Sequence, residues 1–443
     1  MRWGESRNVL RDGFIVTIGQ IGSAIGAVIS IRILTEVLEP AVLGSLTLIF
    51  GIVIFSEGLA VNPVMQALLR YYAPHAKADR LPTLRAKAAK ILKVGVLLLG
   101  VAAILGSTGY GLIQDEWGYL VVAILVSITL ATDSALSTEL TLFNAANRQR
   151  PLAIWKTVDA CTRPVLAWAA VAALGTSLNN ALLGYVLGAI VVWVMVLTFS
   201  KREGLCETNP CQFGAQDDVK QALLRYALPL IPLALVSWLS HWSDRYVVGG
   251  LLGLEDVGIY SAAYGIASRP VSMICGTIDT TIRPRYFEAV SSGDVKREDQ
   301  IFSMWVVLIS GATAVLMACF LFLSEPIAKL LVAERYQGGA WLMPWVAAGY
   351  GLLAISQVFA STCYAKLKTR LLLFVESIGA VSRVIVAYPA IMHAGLFGAA
   401  VAVPAAFGVQ LMASVMVWRI ISYSGEGSRL REVPRGSIHW MKS

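Results

Sequence analysis

Long apolar runs separated by short polar connections recur along the whole 443-residue chain. No charged residue falls between Lys93 and Asp115, between Arg163 and Lys201, between Asp299 and Glu325, between Arg335 and Lys366, or between Arg383 and Arg419. A segment that crosses hydrocarbon must satisfy its own backbone polar groups, and a helix of about 20 mostly apolar residues does so. The runs after Arg163 and after Arg383 have room for two segments each, with turn residues at Gly175 to Asn180 and at His393 to Gly395 marking the breaks. Adding runs that hold one or two internal charges, the pattern predicts twelve spans: 13–34, 43–63, 92–113, 118–140, 154–174, 180–200, 226–250, 257–282, 301–323, 341–361, 371–392 and 396–418.

Composition agrees with an all-α polytopic membrane protein. Hydrophobic residues make up 57% of the chain and charged residues 14%, and the mean hydropathy is +0.67. These values exclude a disordered chain, a small disulfide-stapled domain and most soluble enzymes. A net charge of +8 would raise the question of nucleic acid in a soluble protein. Its distribution answers that question. Counting Lys156, at the start of the fifth span, with the connection before it, 28 Lys and Arg residues fall on one side and two, Lys329 and Arg335, on the other. Cytoplasmic loops carry such an excess, so both termini are placed in the cytoplasm and no nucleic-acid partner is needed. The first apolar segment has no small-residue cleavage site and reads as a retained helix. Six cysteines lie mostly in apolar stretches, where a thiol behaves as a small hydrophobe. Cys206 and Cys211 share a polar loop without a histidine pair, so neither a structural disulfide nor a metal site is expected.

The predicted spans fall into halves. An N-terminal six-helix lobe is expected over 1–205, a cytoplasmic linker over 206–225, a C-terminal six-helix lobe over 226–420 and a cytoplasmic tail over 421–443. Halves with an even number of spans share one orientation and can be parallel repeats. Arg32-Ile-Leu-Thr-Glu-Val-Leu-Glu-Pro-Ala-Val-Leu-Gly44 links the first two spans, and Arg245 to Gly258 links the seventh and eighth, one residue longer. Arg70-Tyr71 and Arg285-Tyr286 then follow those glycines at 26 and 27 residues.

These residues carry a family resemblance. Arg32-x-Leu34-Thr35 through Pro40 to Gly44, Pro229-x-x-Pro232, Asp244-Arg245, Val257 to Tyr264, Pro284 and Glu334-Arg335-Tyr336 resemble the polysaccharide-transporter, O-antigen flippase-like branch of the multidrug/oligosaccharidyl-lipid/polysaccharide exporter superfamily. The resemblance implies a MATE-like bundle that moves lipid-linked, polyprenyl-pyrophosphate oligosaccharides across the bacterial inner membrane. The pathway would be lipopolysaccharide or exopolysaccharide biosynthesis. Relatives that flip the peptidoglycan precursor have fourteen spans, and the twelve counted here fit them less well.

Ionisable groups at mid-bilayer are costly and usually face a cavity or a partner. Arg269 and Arg383 lie deep within predicted spans, with Arg163, Arg32 and Arg245 nearer to span ends. A guanidinium stays charged and offers a planar fork to phosphate oxygens, so these five are the candidate substrate-binding arginines. The structural alternatives are ion pairs, Arg383 with Glu376 and Arg163 with Asp159, and, for Arg32 and Arg245, contact with outer headgroups. Glu57 and Asp133 sit inside spans with no basic residue within four positions, which makes them the candidates for coupling to H+ or Na+. Thr129, Thr132 and Ser134 could instead give Asp133 hydroxyl partners.

No phosphate-binding loop or metalloprotease motif occurs, and the four histidines are scattered, so no enzyme chemistry and no further cofactor is expected. The rival classes are a membrane glycosyltransferase or polymerase on the same lipid-linked sugars, and a MATE-type multidrug exporter. The former needs a sizeable outer loop, and the longest outer connection is about 17 residues. Candidate partners are the lipid-linked oligosaccharide, membrane lipids and the polysaccharide polymerase and export machinery. In a background lacking native cysteines, Glu39→Cys should label with a membrane-impermeant maleimide in intact cells and Asp79→Cys should not; labelling of position 79 overturns the topology.

Overall fold

A computed structural model describes residues 22, 26, 28–78, 80–114, 118–202 and 216–423. The described residues form helices with short connections and no strand. Helix α1 covers 28–37, followed by α2 (Pro40–Ala60), α3 (Asn62–Lys77), α4 (Leu81–Gln114), α5 (Gly118–Ala145), α6 (Gln149–Leu174) and α7 (Leu178–Arg202). Then come α8 (Gln216–Ala227), α9 (Ile231–Leu251), α10 (Leu254–Ser292), α11 (Val295–Leu331), a 3-10 segment Glu334–Leu342, α12 (Met343–Ala365) and α13 (Thr369–Tyr423). Cys206, Cys211, most of the predicted first span, half of the linker and most of the tail lie outside the described residues.

Among the described residues nine segments are long and apolar enough to cross a membrane, and one of them, Thr369–Ser422, holds two predicted spans. Gly395, at φ 57° and ψ −137°, breaks α13 at the predicted turn. Helix α10 is absent from the nine although it runs for 39 residues, because Arg269, Asp279, Arg283 and Arg285 interrupt its apolar stretch. The outward faces carry bare aliphatic and aromatic side chains, Phe322 at 78% exposure among them, as a lipid-facing surface does. The chain is a multi-pass membrane protein.

Two helices extend beyond the sequence reading. Helix α3 and helix α8 are amphipathic pieces that pattern analysis left as connections. Val219, Leu223 and Ala227 recur every fourth residue along α8 and pack with Val64, Leu68, Leu84 and Ala88 of α3 and α4. Helix α4 also begins eleven residues before its predicted span, since hydropathy reports only the part of a helix that needs an apolar solvent.

By internal packing the chain divides into two compact units, Met1–Ile266 with Glu325–Ala340, and Ala267–Ser324 with Trp341–Ser443. In the first unit the short motifs of the sequence meet one another. A Cβ on Gly44 would overlap the carbonyl oxygen of Leu254, and a Cβ on Gly258 would overlap that of Pro40. Each glycine therefore faces the residue four positions ahead of the other, a reciprocal crossing between the corresponding ends of the repeated motif. A second meeting joins α1 to the 3-10 segment. Arg335 donates to the carbonyls of Thr35 at 3.2 Å and Glu36 at 2.6 Å, Tyr336 Oη donates to Leu38 O at 2.8 Å, and Arg32 donates to Val332 O at 2.7 Å. The carbonyls at the end of α1 lack helical partners, and a guanidinium there also complements the helix dipole.

The second unit is held by aromatic packing. Phe302 stacks on Trp418 with centroids 5.5 Å apart, Phe359 meets both edge-on, and Tyr286 packs on Phe302 and Trp305. Lys366 pairs with Glu298 at 3.2 Å beside this cluster. Because a side chain at position 258 must push two backbones apart, Gly258→Ala should lower stability by about 1–3 kcal/mol. Thermal unfolding in detergent checks this, and an unchanged midpoint would contradict the close crossing.

Candidate functional site

Among the described residues, four charged side chains from apolar segments meet within the first unit, on α2, α5 and α6. Arg163 occupies the middle of α6, and its fork holds two acids: Nε donates to Asp159 Oδ1 at 2.6 Å, and Nη2 lies 2.6 Å from Asp133 Oδ1. Asp159 and Arg163 share a face because they are one helical turn apart. Asp133 comes from α5, about 22 Å into that helix by its rise per residue. Glu57 of α2 completes the group, within hydrogen-bond reach of Asp133 and in the field of Arg163 and Asp159. Close helix packing makes the arrangement possible. A Cβ on Gly188 of α7 would lie 2.8 Å from the Cα of Arg163, so only glycine lets α7 approach α6 at this level.

Asp133 is buried. Two of the three hydroxyls that could have served it are engaged elsewhere: Thr129 donates to Leu125 O at 2.9 Å, and Thr132 to Ile128 O at 3.0 Å and Thr129 O at 2.9 Å. Arg163 takes their place. Three carboxyl groups thus share one guanidinium, and if all ionise the cluster carries a net charge of −2 in a largely dry setting. Such a group favours uptake of a proton. Two facing carboxyls can hydrogen-bond to each other only when one of them is protonated.

The other predicted residues are dispersed. Arg245 folds inward from α9: it is buried, donates to His241 O at 2.8 Å, lies 3.1 Å from Asp244 Oδ1, and sits between the rings of Trp242 and Tyr264 at 4.7 and 4.1 Å. Tyr260 Oη donates to Asp244 Oδ2 at 2.6 Å, so the Asp244-Arg245 and Tyr260 to Tyr264 motifs serve each other. Arg245 does not reach toward headgroups. Arg32 is half exposed and pairs with Glu36 at 3.0 Å. In the second unit Arg269 is exposed, immediately before Pro270 of α10. Arg383 is only 1% exposed, with its guanidinium 4.6 Å above the Phe407 ring. Glu376, its expected partner, accepts from Gln410 Nε2 at 3.3 Å. A further buried acid, Glu139, is held by Arg85 and by Ser200 Oγ at 2.7 Å.

Sequence reasoning missed the role of Asp159 as the third acid of the cluster and read it only as the partner of Arg163. The i, i+4 spacing was visible; the approach of α2 and α5 was not. Among the described residues no group of three or more His, Cys, Asp or Glu is arranged to hold a metal ion.

The family model described as polysaccharide biosynthesis protein matches residues 9–290. The chain belongs to this family. The MatE family model also matches, over residues 229–389. A curated relative, the succinoglycan biosynthesis transport protein ExoT of Rhizobium meliloti (strain 1021), is 24% identical over 256 residues, which is 56% of this chain and 46% of ExoT. The chain therefore spans about half of that relative's length. Among solved structures, an inward-facing MATE family multidrug resistance transporter superposes with a TM-score of 0.74 over 94% of this chain and 99% of its own, at 14% identity. The lipid II flippase MurJ in an inward closed conformation gives 0.72 over 93% and 87%, at 12% identity. The family member thus has the MATE-like fold, an all-helical bundle of about twelve spans in two six-helix lobes.

Removing one partner of a buried ion pair costs about 3–5 kcal/mol because the other charge is stranded. Arg163→Gln should therefore destabilise the protein strongly, and adding Asp159→Asn should restore part of the loss. A double-mutant cycle on thermal unfolding reads the coupling; simple additivity would mean that the two groups do not interact.

Proposed function

We propose that the protein is a transporter, not an enzyme, that flips polyprenyl-pyrophosphate-linked oligosaccharides across the bacterial inner membrane for surface or exopolysaccharide biosynthesis. The observation that carries the mechanism is the Glu57, Asp133, Asp159 and Arg163 cluster. A site with three acids and one arginine has room for further positive charge, and because its acids are not arranged to hold a metal ion, that charge is taken as H+ and not Na+. Uptake and release of that charge would bias the two states of an alternating-access cycle. Membership of the polysaccharide biosynthesis family and likeness to ExoT support the substrate class.

In this reading the lobes are 1–205 and 226–420, joined by the 206–225 linker, with both termini cytoplasmic. Arg269, exposed beside Pro270 within α10, is the arginine proposed to meet the pyrophosphate. Arg383 is sealed under Phe407 and would meet the substrate only after its helix repacks. Arg32 and Arg245 contribute positive field from the places where they are already bound. The polymerase and export machinery of the pathway would receive the flipped lipid. The MatE match over 229–389 gives the multidrug-exporter reading its footing, and the cargo assay separates the two.

In proteoliposomes, flipping of a lipid-linked oligosaccharide should respond to an imposed proton gradient and not to a sodium gradient, and Asp133→Asn or Glu57→Gln should remove that response. Retention of wild-type gradient dependence by both variants would take coupling away from this cluster. Arg269→Ala should abolish flipping while Arg269→Lys restores part of it, since lysine keeps the charge and loses the fork. Full activity of Arg269→Ala, or export of cationic dyes with no flipping, would overturn the substrate assignment.

A further inference from the structure

Outside the charged cluster, the first unit carries a groove of about 440 Å³ between α4 and α5. Its α4 wall is Lys93, Leu97, Val101 and Ile104, and its α5 wall is Ser127, Ala131, Ala135 and Thr138. The groove exists because α5 presents small residues at helical spacing along this face. Two of its three hydroxyls are spent within their own helix. Ser127 Oγ donates to Ala123 O at 2.7 Å and Thr138 Oγ1 to Ser134 O at 2.8 Å, each within its own helix. Leu97 is 62% exposed at the rim, which opens the groove to the surrounding solvent, here the bilayer.

One end of the groove is charged. Lys93 lines it, and Lys90, less than one turn away on α4, is also exposed. The acid beside Thr138 on α5 does not neutralise them, because Glu139 is already engaged by Arg85 and Ser200. From Lys93 to Ile104 the axial distance is about 16 Å at 1.5 Å per residue. Half of a hydrocarbon core of about 30 Å is of the same length. The apolar channel therefore matches one acyl chain of a single leaflet, and a polyprenyl chain would overrun it.

We propose that this groove is a binding site for an anionic phospholipid, with the acyl chain along Leu97, Val101 and Ala131 and the phosphate at Lys93 and Lys90. Charge complementarity and the one-leaflet length select this occupant over a zwitterionic lipid or the polyprenyl substrate. The site stands independently of the transport reading, because its test measures binding and not flipping.

Native mass spectrometry of the detergent-purified full chain, titrated with phosphatidylglycerol and chain-matched phosphatidylcholine, tests the assignment. Phosphatidylglycerol should be retained in preference to phosphatidylcholine. Lys93→Gln, an exposed substitution that leaves the packing intact, should reduce that preference about fivefold, the worth of one lysine near an anionic headgroup. Ala131→Phe, or Leu97→Trp from the opposite wall, should displace both lipids by filling the channel. Unchanged preference in Lys93→Gln, retention of phosphatidylglycerol when either plug is present, or displacement of phosphatidylglycerol by equimolar undecaprenyl phosphate would each overturn the proposal.

Discussion

Hydrocarbon leaves an ionised side chain no solvent to turn to, and most of the side-chain architecture of this protein follows from that constraint. Several acids within the apolar segments have been brought to donors. Asp133 and Asp159 share Arg163, Glu139 has Arg85 and Ser200, and Asp244 has Tyr260 and Arg245. These meetings decide which helices are neighbours. They also require close approach, which is why glycine occurs at position 188, against the backbone of Arg163.

The same logic explains motifs that look unrelated along the chain. Arg32 to Thr35 and Glu334 to Tyr336 are separated by about 300 residues yet form one strap, in which Arg335 and Tyr336 satisfy carbonyls that α1 leaves open. Asp244-Arg245 and Tyr260 to Tyr264 form a second pair, with the guanidinium seated between aromatic faces where a bare cation would be poorly solvated. Gly44 and Gly258, each at the end of one copy of the repeat, meet backbone to backbone. Such motifs act as contact partners within the first unit, and their short length reflects that a few atoms suffice for each contact.

Within this framework the Glu57, Asp133, Asp159 and Arg163 cluster stands apart because its charges do not balance. Elsewhere one acid meets one base or a set of hydroxyl and amide donors. Here three carboxyls face one guanidinium and create a demand for further positive charge, and the demand depends on which groups are ionised. A balanced pair stabilises one state of a membrane protein; an unbalanced group can favour different packings according to what it has bound. The difference separates a structural ion pair from a site suited to energy coupling.

The sequence by itself determined the number and position of most apolar segments, because the need for about 20 apolar residues in a helical span is local and leaves its mark in every window. It also exposed the break at Gly395, the similar segments ending at Gly44 and Gly258, and Asp133 and Glu57 as acids without local partners. Hydropathy was blind to α3 and α8, which bury only one face, and to the ends of α4, which lie beyond its apolar stretch. Only the tertiary structure decided that Arg163, thirty residues from Asp133, answers it, that Arg245 turns inward, and that Glu376 meets Gln410. Partnership across helices depends on which helices are adjacent and how each is rotated about its axis. Neither is a property of any single segment, and so neither could be read from the residues one segment at a time.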